Sequence, residues 1–225
     1  MNYKITKEQH EHLCTLPFKQ YLFGSQLHGV ANENSDFDYV RVISDDFYLS
    51  FTSLAKYLPN IHSFQYTEGK ETQYVWMTES QFWRGFFSGD GNILADIILL
   101  SGGFENPLHL AYTYKVIKGY IGVTKRDLKL HKDWDKKIFH STRSLYMAET
   151  LMKKELPTIK GIVDLYNQDR LSVEILTLKE KELRGRLNDM LNKGEINLYP
   201  NFKEENELIQ IMTNTNNIKE FKYES

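Results

Sequence analysis

Apolar and polar positions alternate along the first hundred residues in two different rhythms. Over 3–16, Ile5, His12, Leu13 and Leu16 fall on one side of an amphipathic helix that Pro17 stops. An aromatic-rich run at 19–23 reads as a strand, and Gly24-Ser25 punctuates it before a brief helical turn to Val30. After the polar turn Asn32-Glu33-Asn34-Ser35, residues Phe37, Tyr39, Arg41 and Ile43 alternate with Asp38, Val40 and Val42, the period of a strand. A short β-branched and aromatic run follows at 74–77. Thr78 and Ser80 are placed to cap a helix to about Ser88, and 92–100 is a compact apolar helix. Beyond Pro107 the spacing turns helical at 109–120, 132–155 and 172–192, where Gly194 supplies a stop. The pattern predicts an α/β (α+β) domain over 1–105, with a short mixed sheet and flanking helices. A helical domain over 106–200 and a polar tail over 201–225 complete it.

Composition narrows the class. The 225 residues are 41% hydrophobic, enough for a buried core. The longest apolar run, 97–100, is far short of the roughly 20 residues that span a bilayer, so no membrane partner is expected. The start lacks the apolar stretch of a signal peptide. The single Cys14 excludes an internal disulfide and reads as a buried apolar residue on its helix, which with the rest predicts a cytoplasmic protein. The seven histidines show no zinc-ligand spacing. Trp76 stands near Phe82, Trp83, Phe86 and Phe87, whose helical spacing reads as core packing.

Charge changes the picture once it is divided along the chain. The formal total is −2. Residues 1–114 carry 7 Lys/Arg and 13 Asp/Glu, whereas 115–160 carry 12 and 5, and 161–225 carry 9 and 12. An acidic first half therefore precedes a basic helical stretch, an arrangement suited to solvated helix faces or to a basic wall opposite carboxylates.

The stretch with the most chemistry is Tyr21-Leu-Phe-Gly24-Ser25-Gln-Leu-His28-Gly29, followed by Ser35-Asp36-Phe37-Asp38. Glycine lets backbone approach an anion closely, and N–H groups opening a helix favour phosphate oxygens. Asp36 and Asp38 are two residues apart on an extended segment, so both carboxylates point to one face. Paired carboxylates repel unless a cation lies between them, and hard divalent ions such as Mg²⁺ fit oxygen ligands. A phosphate cradle beside a carboxylate pair is the equipment of metal-assisted phosphoryl or nucleotidyl transfer.

This Gly-Ser…Gly…Ser-Asp-x-Asp pattern resembles the signature of the DNA polymerase β-like nucleotidyltransferase superfamily. Within it, the chain is similar to a bacterial and phage family of predicted nucleotidyltransferases, some linked to RNA repair. Residues 79–100, Lys118-Gly119-Tyr120 and the His140-Ser141-Thr142-Arg143 segment extend the likeness loosely over 20–190. The resemblance implies transfer of an NMP from an NTP to an acceptor hydroxyl, with release of pyrophosphate. The acceptor is left open between an RNA end, a small molecule and a protein. It implies that Gly24 and Ser25 bind the triphosphate and that Asp36 and Asp38 hold Mg²⁺ (or Mn²⁺). It also implies that His140 and Arg143 contact the nucleotide or the acceptor's phosphate, with Lys118 a further candidate. A third carboxylate belongs on a neighbouring strand, and the aligned position falls near Gln73. Glu71 is taken as that ligand, with Glu68, Asp90 and Asp96 as alternatives. A member without it is expected to bind nucleotide or RNA without turnover, and an antitoxin-like transferase that modifies a partner protein is a further alternative.

Overall fold

The computed structural model describes residues 2–47, 63–69, 72–89, 92–130, 134–166 and 171–200. It is an α+β protein, with a five-stranded mixed sheet and nine α-helices among the described residues. The chain divides into two compact units, Met1–Ile97 with Ile159–Gln168, and Ile98–Thr158 with Asp169–Ser225.

The first unit is built on strands β1 (Asn2–Lys4), β2 (Phe18–Phe23), β3 (Phe37–Ile43), β4 (Ser63–Glu68) and β5 (Thr72–Thr78) in the order β1-β4-β5-β3-β2. β3 runs parallel to β5, and β1 to β4; β2–β3 and β4–β5 are antiparallel. Helices α1 (Lys7–Cys14), α2 (Gly24–Leu27), α3 (Glu79–Ser88) and α4 (Asn92–Leu100) follow the strands, and α8 (Ile159–Tyr166) returns from the far half of the chain. Along β3 the side chains alternate between two faces, and both are covered toward its C-terminal end, where Val40, Val42 and Ile43 are buried. Leu13 of α1 packs with Ile43, Phe64 and Trp76 on one face. On the other, Tyr21 stacks on Phe82 of α3 at 5.7 Å.

The second unit comprises α5 (Pro107–Ala111), α6 (Tyr114–Leu130), α7 (Trp134–Met152) and α9 (Val173–Asn192). α9 packs on both α6 and α7. It contributes Leu176, Leu183 and Leu187 to a core with Ile117, Tyr120, Ile121, Leu145 and Leu151, all at most 1% exposed. Lys179 of α9 pairs with Glu149 of α7 at 2.6 Å, and that contact leads the causes holding the Glu149 carboxyl below its ordinary pKa. No helix among the described residues is long and apolar enough to cross a membrane.

Four expectations change. The segment 3–16 is a strand and then a helix, because the amide of Ile5 donates to Gln65 and Thr6 then opens α1 through a reciprocal capping box with Gln9. His10, rather than His12, is the buried histidine of α1: it stacks on Tyr66 at 4.1 Å and accepts from Trp76 Nε1 at 3.2 Å. Cys14 is exposed, beside Arg41 Nη1 at 3.1 Å. The expected helix at 109–120 is two helices broken at Tyr112–Thr113, where the Thr113 hydroxyl accepts from the amide of Val116 and opens α6.

Truncation of Leu13, 1% exposed at the centre of its cluster, tests this packing. Leu13→Ala is expected to lose about 2–5 kcal/mol. The check is a lower urea midpoint at unchanged m-value.

Candidate functional site

Strand pairing assembles the site. β2 runs antiparallel to β3 with Phe23 opposite Asp38, so the chain leaves β2 beside the N-terminal end of β3. Gly24 then takes φ +71°, which β-carbon-bearing residues avoid. A β-carbon built there would lie 2.8 Å from Asp38 Oδ2. Glycine is required on both counts, and its backbone is held against the carboxylate. The following turn, α2, closes with His28 and Val30 amides donating to the carbonyls of Gly24 and Ser25.

The approach to Asp36 is also braced. Ser35 and Asn34 amides donate to the Asn32 carbonyl and Oδ1, each at 2.9 Å, and the Asn32 amide donates to Ser35 Oγ at 2.9 Å. Asp36 is exposed and Asp38 half-buried. Burial, and then the neighbouring Asp36 charge, push the Asp38 carboxyl above its ordinary pKa. An anion held in this way gains from a cation.

Two buried groups fix the loop from behind. His28 and Asp96 are 4% and 2% exposed, with Nε2 and Oδ2 3.0 Å apart, joining the end of α2 to α4. Ile159 Cγ2 of α8 lies 2.8 Å from where a β-carbon on Gly29 would sit, so α8 packs directly on the loop. Neither contact was anticipated, although the apolar spacing of α8 carried a signal for that helix.

The third-carboxylate alternatives separate. Gln73 is the residue paired with Asp38 across β3–β5, and it shares Asp38's face. Glu68 pairs with Thr72, whose partner is Phe37, so it belongs to the opposite face; it accepts from Tyr74 Oη at 3.2 Å. Asp96 is engaged by His28. Glu71 and Asp90 lie outside the described residues. Among the described residues, no three His, Cys, Asp or Glu side chains group to hold a metal ion.

Lys118, His140 and Arg143 belong to the second unit. Lys118 is exposed on α6, its Nζ 5.3 Å from the Tyr114 ring centroid. On α7, His140 is half-buried with its ring 5.6 Å from Phe139, and Arg143 is 5% exposed. Thus Gly24 and Asp38 meet where β2 leaves off beside the start of β3, with Ser25 and Asp36 close by in sequence, whereas the three basic residues belong to the other unit.

Comparison with known proteins adds no relative: neither a family model nor a curated protein matches the chain.

The Asp38 shift has a definite sign. A carboxyl whose folded pKa is raised holds its proton more tightly folded than unfolded. Stability therefore falls as pH rises from the unfolded value, about 3.9, through the raised folded value, and stays lowered above it. Asp38→Asn is expected to raise the Tm at pH 7 without added metal and to flatten that acid-range slope. It is also expected to abolish any rise in Tm on adding Mg²⁺. Thermal melts across pH, with and without Mg²⁺, make the check.

Proposed function

We propose that the chain is a nucleotidyltransferase that moves an NMP from an NTP to an acceptor hydroxyl and releases pyrophosphate. The observation that carries this reading is the closure of Gly24 on Asp38 of β3, with a β-carbon position 2.8 Å from Oδ2, beside Asp36 just ahead of the strand. It matches the resemblance of the Gly-Ser…Ser-Asp-x-Asp segment to the DNA polymerase β-like superfamily. In this reading Asp36 and Asp38 hold Mg²⁺ or Mn²⁺, and Glu71 is the proposed third ligand. Bound there, the cation supplies neutralisation of the phosphates and lowers the pKa of the attacking hydroxyl. Gly24, whose backbone lies against Asp38, and Ser25, which carries a hydroxyl, are proposed to bind the triphosphate. His28 and Asp96 keep that loop in place. Lys118, His140 and Arg143, which belong to the second unit, are carried only by the resemblance as proposed contacts for nucleotide or acceptor phosphate. The acceptor is proposed to be an RNA end, a small molecule or a protein.

A second reading has one observation in its favour. Gln73 stands beside Asp38 where a neighbouring strand would offer a carboxylate, and an amide is a weak ligand for a hard cation. That arrangement suits a protein that binds nucleotide or RNA without turnover.

Incubation with α-labelled NTPs, Mg²⁺ and candidate RNA, small-molecule and protein acceptors separates the two. Wild type is expected to label an acceptor, and Asp36→Ala with Asp38→Ala to lose on the order of 100-fold or more. Retained NTP binding with no label in any acceptor favours the second reading. Equal labelling by the double variant excludes the carboxylates from the chemistry.

A further inference from the structure

The second unit contains a cavity of about 560 Å³, within the size range of small-ligand sites. Asn106, His109, Tyr112, Lys154, Leu156 and Tyr199 are among the residues lining it. Its walls are held by backbone. The amides of Tyr114 and Lys115 donate to the carbonyls of Asn197 and Leu198, and Tyr112 Oη donates to the Glu195 carbonyl at 3.2 Å.

Strain is concentrated here. Among the described residues the non-glycines with positive φ are Asn106 (46°) and Lys154 (60°), and both line this cavity. Comparison of two helix ends shows what Lys154 forgoes. At the end of α9, Glu195 and Gly194 amides donate to the carbonyls of Met190 and Leu191, and Gly194 occupies the left-handed position at φ 70°. At the end of α7 the same pair of bonds recurs, from Glu155 to Thr150 and from Lys154 to Leu151, but a lysine holds the left-handed position. Asn106 is a milder case: asparagine tolerates the left-handed region it occupies at the N-cap of α5, but it makes no side-chain cap bond. Local rules favour glycine at the first position and a bonded cap at the second. Strained residues of this kind gather at ligand sites, where the side chain offsets the conformational cost.

The chemistry of the lining defines the ligand. Lys154 Nζ lies 5.2 Å from the Tyr112 ring centroid, placing an ammonium against an aromatic face. Tyr199 is a second ring, 51% exposed, with Lys115 Nζ 5.8 Å from its centroid. The described lining contains Lys154 and no Asp or Glu, the Glu195 charge acting on the Tyr112 hydroxyl from beside it, and the side-chain amides of Asn106 and Asn197 can pair with ring heteroatoms. We propose that this cavity is a binding site for a small ligand that joins a heteroaromatic ring to a phosphate, the ring against Tyr112 and Tyr199 and the phosphate on Lys154. The site stands independently of the carboxylate site of the first unit.

Calorimetric titration with 5′-AMP, alongside adenosine and inorganic phosphate, tests it on the full chain. AMP is expected to bind wild type at least about tenfold more tightly than either fragment, since ring and anion contacts combine. Lys154→Gly is expected to raise the Tm by about 2–4 °C and to weaken AMP binding about tenfold or more. Lys154→Asn, which tolerates the left-handed conformation without the charge, is expected to lose binding with the fold intact. The AMP binding that depends on Lys154 is expected to persist in Asp38→Asn, which reports any separate binding at the carboxylate site. No AMP binding, phosphate binding as tight as AMP, or Lys154→Gly binding as well as wild type would each overturn the site. So would AMP binding lost in Asp38→Asn but kept in Lys154→Gly. Failure of Lys154→Gly to raise the Tm would overturn the strain argument on which the site is built.

Discussion

Antiparallel pairing of β2 with β3 is the constraint on which the first unit's site depends. It sets Phe23 opposite Asp38, and so delivers Gly24 to the carboxylate although fourteen residues separate the two in sequence. A one-residue slip in this register would turn Asp38, Val40 and Val42 to the other face and bring Phe37, Tyr39 and Arg41 inward. The buried Val40 and Val42 therefore secure the placement of Asp38. Core packing and site geometry are specified by the same alternation.

The loop between these strands is tied to elements remote in sequence. His28 reaches Asp96 on α4, and α8, arriving after more than a hundred intervening residues, packs against Gly29. A turn of four residues has too little internal bonding to be rigid by itself. Its shape depends on a buried polar pair behind it and an apolar helix beside it. A change to Asp96 would therefore disturb the loop without touching anything bound there.

Local signals were legible in the sequence, and pairings were not. The strand at 37–43, the capped helix after Thr78, the glycine stop at 194 and the helical second half each announce themselves through period or punctuation, and each is present. Strand β4 was not anticipated because its outer half is polar, and β1 because three residues carry no period. Cys14 was misjudged for a related reason: its exposure depends on which face of α1 meets the sheet, and His10 takes the inward place through Tyr66 and Trp76. In the site, Gly24 foretold a close approach of backbone. The partner of that approach, Asp38 itself, emerges only from the strand register. The engagement of Asp96 by His28 likewise depends on contacts between residues 68 apart.

Electrostatics and packing pull against each other at Asp38. Burial toward Val40 makes the carboxylate costly, and Asp36 adds like charge, yet the pleat that buries Val40 and Val42 puts Asp38 in the same row. Withdrawing Asp38 into solvent would ease its charge and break the register that the core requires. Neutralising it in place would keep the register but remove half of the carboxylate pair. On the proposed reading, a cation bound at this strand end would relieve the repulsion without disturbing either the sheet or the loop. The helical unit shows a parallel tension at Lys154, where a side chain occupies a backbone position that glycine would hold at lower cost. In both units a charged side chain is held against local preference, and binding energy is able to compensate such a cost.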